Sequence, residues 1–342
     1  MFNNHLFVMK LREENSLDLF RLLACVEVLI GHMSVHLGLP IPRVIDWPLD
    51  LFIGVPIFFI LSGFLIWKSL DNTPDFRRFF SKRILRLYPE LWICLFVEIL
   101  SIVLFYKEHV PVSDYVLFTF TQGTIFQFWT PDSLREYGCG TPNGSLWTIN
   151  IIVQFYIFIY LIRKWLNKVD ERIWISFLLM TIVIGVCSPI LVKQMPSIVG
   201  KLFMQTLFPY SWLFFWGVFI QKFKSRILDH LKKCWWLYFL LYVIDMYFGM
   251  DLYVAHYPLI GCMLLAMFMI GFAYRYPKID VGEDISYGVY IYHMIFVNVA
   301  IAWGYTNNWT AFAFVIVVTF VVAYGSTMIV GEYGRRLKSR YL

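Results

Sequence analysis

Long apolar stretches, each about the length of a membrane-spanning helix, constrain the fold of this chain more than any other feature of its sequence. A helix of about twenty residues spans the hydrocarbon core of a bilayer, because each residue adds about 1.5 Å along the axis. Ten spans are predicted, at residues 17–36, 49–67, 88–106, 146–162, 173–191, 202–220, 234–250, 255–274, 285–304 and 309–331. The sequence therefore predicts an all-α, polytopic membrane protein with about ten transmembrane helices.

The positions of the basic residues predict how these helices are oriented. If the N-terminus is cytoplasmic, the inner segments hold 23 of the 29 Lys and Arg residues and the outer segments hold five, which leaves Arg21 in the membrane. Cytoplasmic segments of membrane proteins have such an excess of positive charge. Both termini are therefore predicted to be cytoplasmic. The net charge of +6 is explained by this orientation, and no nucleic-acid partner is expected.

The chain is predicted to form one membrane domain over residues 1–342, with no appended soluble domain. No segment rich in Ser, Gly or Pro divides the sequence, and it shows no internal repeat of the kind found in many transporters. The six cysteines have no CxxC spacing, so neither a metal site nor a disulfide framework is expected. Only Cys139 and Cys187 could meet on the outer side, and a bond between them is not expected.

The first predicted span contains ionisable side chains that are costly in hydrocarbon. Arg21 and Glu27 lie within its apolar run, and His32 follows just after it. A charged side chain at the centre of a bilayer costs roughly 2.5–3.5 kcal/mol on insertion scales, so such groups indicate function. On a helix, Arg21 and His32 lie about 20° apart around the axis and roughly 16 Å apart along it, whereas Glu27 points away. Close to the same stripe lie Asp18, Cys25 and His36.

Five segments match one known family in the same order along the chain. They are Arg21 followed after ten residues by His32, GVPIFFILSGFLIW from Gly54, FFSKRILRLYPELW from Phe79, NGSLWTINIIVQFY from Asn143, and ISYGVYIYHMIF from Ile285. Together they resemble the acyltransferase-3 family of integral membrane acyltransferases. The resemblance implies a membrane O-acyltransferase that takes its acyl group from acyl-CoA.

His32 and Arg21 are the catalytic candidates that the resemblance implies. A neutral imidazole can take the proton from an acceptor hydroxyl as the hydroxyl attacks a thioester, or it can accept the acyl group transiently. The alternative is a buried histidine that hydrogen-bonds a neighbouring carbonyl. The planar fork of Arg21 suits a phosphate or a carboxylate of the donor, unless it only pairs with Asp18 to anchor the helix.

Arg83 and Arg86 belong to a basic cluster on the predicted inner surface. From charge alone, this cluster is explained by membrane orientation or by lipid headgroups. The resemblance instead assigns both arginines to the phosphates of the acyl donor, which is expected to be acetyl-CoA.

Five further residues are candidates for the site. Asn143, Trp147 and Gln154 can contact a sugar acceptor by stacking and hydrogen bonding, although ordinary interface residues would give the same pattern. Tyr292 and His293 form a polar, aromatic face of the ninth span, which an interfacial aromatic belt would also explain.

Two positions depart from the family pattern. The Glu that is usual in the fourth span is Ile152 here, and an acidic residue often seen before the FF pair of the second span is Pro56. If that Glu orients the histidine, another acid must replace it, and Glu27 and Glu98 are the nearest candidates. Glu27 is otherwise expected to belong to a packing or polar network. Ser62 is expected to allow close helix packing, near the acyl tunnel that the resemblance implies.

The predicted function is transfer of an acyl group, expected to be acetyl, from cytoplasmic acyl-CoA to a hydroxyl of a lipid-linked or surface glycan such as O-antigen. The glycan is chosen by resemblance, and the lipid bilayer is the other expected partner. One alternative is a glycan transporter or exporter, which should have Gly/Pro-broken helices in paired halves. The other is a catalytically inactive family member that acts as an assembly partner, which the replacement at Ile152 leaves open.

Overall fold

The computed structural model of the chain describes residues 15–249, 251–276, 279 and 281–341, with side chains in the last helix up to residue 331. The basic residues of the N-terminal tail, Lys278 and the basic side chains of residues 335–340 lie outside this description, so part of the charge pattern has no structural counterpart here.

The described secondary structure is almost entirely helical. In chain order, the α-helices are α1 (Leu17–Leu37), α2 (Arg43–Asp50), α3 (Gly54–Asn72), α4 (Phe76–Phe105), α5 (Val112–Gln122), α6 (Trp147–Lys168), α7 (Glu171–Gln194), α8 (Ser197–Phe203), α9 (Ser211–Lys222), α10 (Lys224–Phe248), α11 (Leu259–Arg275), α12 (Ser286–Ala302) and α13 (Trp309–Tyr341). Single 3-10 turns lie at Asp132–Leu134 and Phe208–Tyr210, and the two-residue strands β1 (Tyr253–Val254) and β2 (Tyr257–Pro258) pair antiparallel.

Each predicted span coincides with a helix, and the stretch at 202–220 falls on the bent pair α8 and α9. Within the described ranges, six helices are long and apolar enough to cross a membrane, or seven if this pair, bent by 47°, counts as one broken span. Helices α11 and α12 are apolar but have only 17 residues each. The chain is therefore an all-α, polytopic membrane protein, and the number of ten spans stays a prediction.

Capping groups explain where several of these helices begin and end. The Asp75 carboxylate accepts a hydrogen bond from the Arg78 amide at 2.9 Å at the start of α4, and Asp170 accepts one from the Ile173 amide at 2.9 Å at the start of α7. Such caps satisfy amides that have no partner inside the helix. Helix α1 ends at Gly38, whose φ of +70° is left-handed and favours glycine.

Helices α1 and α12 lie side by side, run in the same direction, and are joined at two levels. Near their first turns, Nη1 of Arg21 lies 3.1 Å from Oδ2 of Asp284, the residue two positions before α12. Further along both helices, Nδ1 of His32 lies 2.8 Å from Nε2 of His293. These two contacts fix the register of a parallel helix pair.

The two ends of the bundle differ in character. The basic end, where α1 and α12 begin, includes Arg21, Arg83 and Arg86. The loop end, on the opposite side, includes residues 106–146, which connect α4 to α6 and contain the short helix α5. We use these two names below.

Asn298 of α12 fastens the connecting segment at the loop end. Its Oδ1 accepts a hydrogen bond from the Cys139 amide at 2.8 Å, and its Nδ2 donates to the Thr141 carbonyl at 3.0 Å. Gly138 has a φ of +59°, and an added Cβ there would lie 2.0 Å from Asn298 Oδ1. Only glycine therefore fits at this approach of the segment to the bundle.

Helices α3 and α9 cross in backbone contact through two glycines. A Cβ on Gly63 would lie 2.0 Å from the Phe214 carbonyl oxygen, and a Cβ on Gly217 would lie 2.0 Å from the Ile60 carbonyl oxygen. Small residues allow helices to approach this closely in a membrane. Gly63, which follows Ser62, therefore provides the close helix packing that the sequence predicts at this turn.

A single methyl group at this crossing should destabilise the protein. We expect Gly63→Ala to lower the free energy of unfolding by about 1–3 kcal/mol, because the opposing carbonyl yields only if the helices separate. Gly325→Ala in α13 is the matched control, since no atom lies within 4 Å of its added Cβ. Thermal unfolding in detergent should give a lower Tm for Gly63→Ala alone, and equal values for both variants would refute the contact.

Candidate active site

Two histidines from α1 and α12 form a hydrogen-bonded pair inside the bundle. Nδ1 of His32 lies 2.8 Å from Nε2 of His293, and the two rings stack with their centroids 5.1 Å apart. His293 is fully buried, and its Nδ1 lies 3.1 Å from the Val289 carbonyl oxygen. The ring of His36 is also close, with its centroid 5.8 Å from that of His32. The structure thus brings together the two histidines that the sequence analysis singled out separately.

The hydrogen bonds assign one proton to each neutral ring. The Val289 carbonyl can only accept, so Nδ1 of His293 is the protonated nitrogen and its Nε2 is an acceptor. Nδ1–H of His32 then donates to that acceptor, which leaves Nε2 of His32 unprotonated. An unprotonated imidazole nitrogen can accept a proton, as a general base must.

A cavity extends from the basic end into the bundle, and we call it the basic cavity. It contains about 760 Å³ of empty space, part of which is open to solvent. Three arginines line it, Arg21, Arg83 and Arg86, and the rest of its wall is mainly Leu, Ile, Phe and Tyr. The combination of guanidinium groups with apolar walls suits a long molecule with anionic groups at one end.

Two carboxylates hold Arg21 in the wall of this cavity. Its Nη1 lies 2.8 Å from Oδ1 of Asp18 and 3.1 Å from Oδ2 of Asp284. Burial alone would raise the pKa of the Asp284 carboxyl, but the Arg21 guanidinium and the hydrogen bonds from Ser286 outweigh it and hold this pKa below its usual value. Asp284 therefore stays ionised beside Arg21. The pairing with Asp18 agrees with the sequence analysis, which did not single out Asp284.

Arg83 and Arg86 line the basic cavity from α4. Nη2 of Arg83 donates to the Ser69 hydroxyl at 3.1 Å, whereas its Nε is buried and has no hydrogen-bond partner among the described residues. Arg86 is exposed at the mouth of the cavity. A buried donor without a partner needs an explanation, and an anionic ligand in the cavity supplies one.

Tyr290 separates the basic cavity from the histidine pair. Its ring centroid lies 6.2 Å from that of His293, and its hydroxyl lies 2.8 Å from the Thr148 hydroxyl. Tyr290 and Thr148 line the cavity, whereas His32 does not. Arg21 is therefore a wall residue, whereas His32 contacts His293, the neighbour of the wall residue Tyr290.

The acidic candidates do not contact the histidine pair. Oε2 of Glu27 accepts a hydrogen bond from the Gly54 amide at 2.8 Å, so this carboxylate caps α3, where the helix dipole favours negative charge. Glu98 is fully buried, and neither of its carboxylate oxygens has a partner in the described part of the chain. Ile152 lines the basic cavity. A second histidine, not a carboxylate, hydrogen-bonds the ring of His32.

Asn143 and Trp147 line a second, more polar chamber at the loop end, whereas Gln154 does not. Nε2 of Gln154 donates to the Gln205 carbonyl at 2.8 Å, and its Oε1 accepts from the Leu207 amide at 3.0 Å. Gln154 therefore holds the turn that precedes α9.

The remaining candidates have clear positions. Ser62 lines the basic cavity, and Pro56 is buried within α3. The hydroxyl of Tyr292 donates to the Ser326 hydroxyl at 2.8 Å, so this tyrosine joins α12 to α13. Its role in the structure is helix packing.

The sequence analysis missed two residues of the site, Asp284 and Thr148. Asp284 lies two positions before Ser286, and an Asp just before an apolar helical stretch is a signal for a helix start. Thr148 follows Trp147 directly, but nothing in its type or spacing marks it.

No group of three or more His, Cys, Asp or Glu side chains that could hold a metal ion occurs within the described ranges. The six cysteines, all of them described, are free thiols, and Cys139 and Cys187 are not joined.

Comparisons with known proteins identify the family of the chain. Residues 14–328 match the acyltransferase domain of the acyltransferase-3 family. Nodulation protein 10 of Rhizobium leguminosarum bv. viciae is 28% identical over 323 residues, which is 86% of each chain. The O-acetyl transferase of Shigella phage Sf6 is 32% identical over 162 residues, 43% of this chain and 45% of the phage protein. The peptidoglycan O-acetyltransferase OatA of Listeria monocytogenes serovar 1/2a is 27% identical over 183 residues, 50% of this chain and 27% of the relative.

The matched segments cover less than half of the length of each of the two O-acetyltransferases. The family match, in contrast, covers almost all of this chain. No solved structure matched the chain. The family match confirms the resemblance inferred from the five sequence segments. The chain belongs to the acyltransferase-3 family and is an acyltransferase.

Proposed function

We propose that this acyltransferase is a bacterial inner-membrane O-acetyltransferase that moves an acetyl group from cytoplasmic acetyl-CoA to a hydroxyl of a lipid-linked or surface glycan such as O-antigen. The names of two relatives, an O-acetyl transferase and a peptidoglycan O-acetyltransferase, support this chemistry and this acceptor class. The observation on which the proposal depends is the His32–His293 pair, in which His32 has an unprotonated ring nitrogen and His293 lies beside Tyr290 of the cavity wall.

The proposal includes ten membrane spans with both termini in the cytoplasm. The two 17-residue helices, α11 and α12, are about 26 Å long at 1.5 Å per residue, close to the roughly 30 Å of a hydrocarbon core. The excess of Lys and Arg in the inner segments supports this orientation. The basic end then faces the cytoplasm, where acetyl-CoA occurs, and the loop end faces the acceptor.

The basic cavity fits the donor in charge and polarity. Coenzyme A has phosphates at one end and its thiol at the other, joined by the pantetheine arm. Three guanidinium groups line the cavity: that of Arg86 at the mouth, that of Arg83 with its unpartnered Nε, and that of Arg21 further inside. They are suited to the phosphates, because guanidinium groups form strong charge-assisted hydrogen bonds. The apolar walls suit the arm, and the thioester then lies toward Tyr290 and Thr148.

In the proposed reaction, Nε2 of His32 acts as general base. The acceptor oxygen attacks the thioester carbonyl carbon and forms a C–O bond while Nε2 takes the hydroxyl proton. The C–S bond then breaks, and the proton passes from His32 to the thiolate sulfur, giving the acetyl ester and the free thiol of coenzyme A. His293 accepts the hydrogen bond from Nδ1–H throughout and holds the ring in place. Transient acylation of His32 would use the same unprotonated nitrogen.

Substitution of each histidine tests this assignment. We expect His32→Ala to lower acetylation of the surface glycan by about 10²–10⁴-fold, because the general base is lost. His293→Phe removes the acceptor for Nδ1–H and should also lower acetylation. His293→Gln, whose amide oxygen can accept that bond, should retain more activity than His293→Phe. Mass spectrometry of glycan from cells that express each variant measures the acetyl content.

The matched control for these variants is His230→Ala, which removes an exposed histidine of α10 that bonds the Tyr238 hydroxyl. It should leave acetylation unchanged. Acetyl that persists in His32→Ala would overturn the role of this residue. Glycan export should be normal in every variant, and loss of export would instead favour the transporter alternative.

Loss of either arginine at the mouth of the cavity should weaken donor binding. We expect Arg83→Gln and Arg86→Gln each to weaken acetyl-CoA binding by about 10- to 100-fold, since a hydrogen bond to a charged group contributes about 1.5–3 kcal/mol. Calorimetric titration of purified protein measures the Kd. Lys164→Gln, an exposed basic residue of α6 outside the cavity, is the control. An unchanged Kd in both arginine variants would contradict the donor site.

A further inference from the structure

The second chamber, at the loop end, has the composition of a carbohydrate site. It contains about 860 Å³ of empty space and is partly open. Four aromatic residues and three side-chain amides are prominent in its lining, namely Phe128, Trp129, Trp147, Tyr210, Gln127, Asn143 and Gln205. No acidic side chain lines it. Arg135 also lines the chamber, and its Nε pairs with Oδ1 of Asp132 at 2.6 Å. The chamber therefore presents aromatic faces, side-chain amides and one paired guanidinium.

Packing fixes the aromatic wall of the loop-end chamber. The rings of Trp147 and Tyr210 lie with their centroids 5.3 Å apart, and both contact Phe59 of α3, at 6.5 and 5.5 Å respectively. Rigid aromatic side chains supply contact area at little entropic cost. A pyranose ring has C–H groups on its two faces, which pack against such a wall.

Two residues that line this chamber each have a buried side-chain amide oxygen without a partner. Oε1 of Gln127 and Oε1 of Gln205 have no hydrogen-bond partner among the described residues, and Gln127 is only 5% exposed. The Gln127 amide nitrogen donates to the Thr124 carbonyl, so the oxygen is the group that is left unpaired. Amide oxygens can only accept, and a ligand that satisfies both must therefore donate hydrogen bonds. Hydroxyl groups meet this requirement.

The backbone and side-chain contacts hold Gln205 in position without using its side-chain oxygen. Its carbonyl accepts from Nδ2 of Asn150 at 2.9 Å and from Nε2 of Gln154 at 2.8 Å. Gln154 also binds the Leu207 amide at 3.0 Å. A binding group with such support is pre-organised for its ligand. Gln154 is therefore a positioning residue for this chamber.

The loop-end chamber borders the basic cavity across the start of α6. Trp147 lines the chamber, and the next residue, Thr148, lines the basic cavity. Gly144, also in the chamber lining, lies near Met294, since an added Cβ would be 3.9 Å from Met294 Cε. Met294 directly follows His293 in α12. A ligand in the chamber thus lies near the turn of α12 to which His293 belongs.

We propose that the loop-end chamber binds one pyranose unit of the acceptor, with its hydroxyls donating to Gln127 and Gln205 and one ring face packed on Trp147. This inference rests on the proposed function for its meaning, but the binding itself is measured without acetyl-CoA.

The test is a titration of purified protein in nanodiscs with methyl pyranosides, and saturation-transfer NMR measures their binding. The pyranosides are those of the gluco, galacto, manno, rhamno and N-acetylgluco series. Wild type should transfer saturation to the ring C–H protons of at least one pyranoside. Gln127→Leu and Gln205→Leu should each weaken its binding by about 3- to 10-fold, because one neutral hydrogen bond is lost. Gln194→Leu, an exposed glutamine on α7 outside the chamber, should bind as wild type does.

A pair of variants at Trp147 distinguishes loss of the sugar contact from misfolding. Trp147→Phe keeps an aromatic face and should retain binding, and Trp147→Ala should lose it. Acetyl-CoA affinity should be unchanged in all of the glutamine variants.

Binding of no pyranoside, or binding that is equal in wild type and both Gln→Leu variants, would overturn the inference. If acetylation depends on His32 while those variants bind normally, the sugar site fails and the proposed function stands. If the sugar site behaves as expected and no acetyl is transferred, the site stands and the proposed function fails.

Discussion

A guanidinium group inside an apolar bundle must be neutralised, and the site depends on how this is done for Arg21. Its partner Asp284 is 263 residues away in the chain, just before α12. The pair therefore sets the position of α12 against α1 at one end. Further along the same two helices, His32 meets His293. The electrostatic cost that makes Arg21 conspicuous in the sequence is offset by the contact that also aligns the two histidines.

The positions of the helices could be predicted from the sequence because hydrocarbon imposes a simple rule on each segment separately. An apolar run of about twenty residues is needed wherever the chain crosses, whatever its neighbours are. The stripe from Arg21 to His32 was predictable for the same reason, since it lies on one helix. The contact between His32 and His293 was not, because it depends on the register between two helices that are distant in sequence. Periodicity within one segment contains no information about that register.

The contact partners of the acidic residues could not be predicted from the sequence either. The sequence placed Glu27 on a different face of α1 from His32, which is correct, but its partner is a backbone amide at the start of α3 that no side-chain pattern reveals. The position where the family usually has Glu is Ile152, in the wall of the basic cavity. With Ile152 there, hydrogen bonding alone orients His32, through a neutral partner ring. Gln127 and Gln205 were equally invisible, since an unpaired amide oxygen is a property of folded packing.

The first turn of α6 has a consequence for the membrane itself. Trp147 and Thr148 are consecutive residues, yet one lines the loop-end chamber and the other the basic cavity. The two compartments are thus divided by a partition no thicker than a single helix. Under the proposed function, the charged nucleotide and the hydrophilic sugar each stay in their own aqueous compartment. Only an acetyl group moves outward and one proton inward in each turnover, so the protein can act across the bilayer without an open pore.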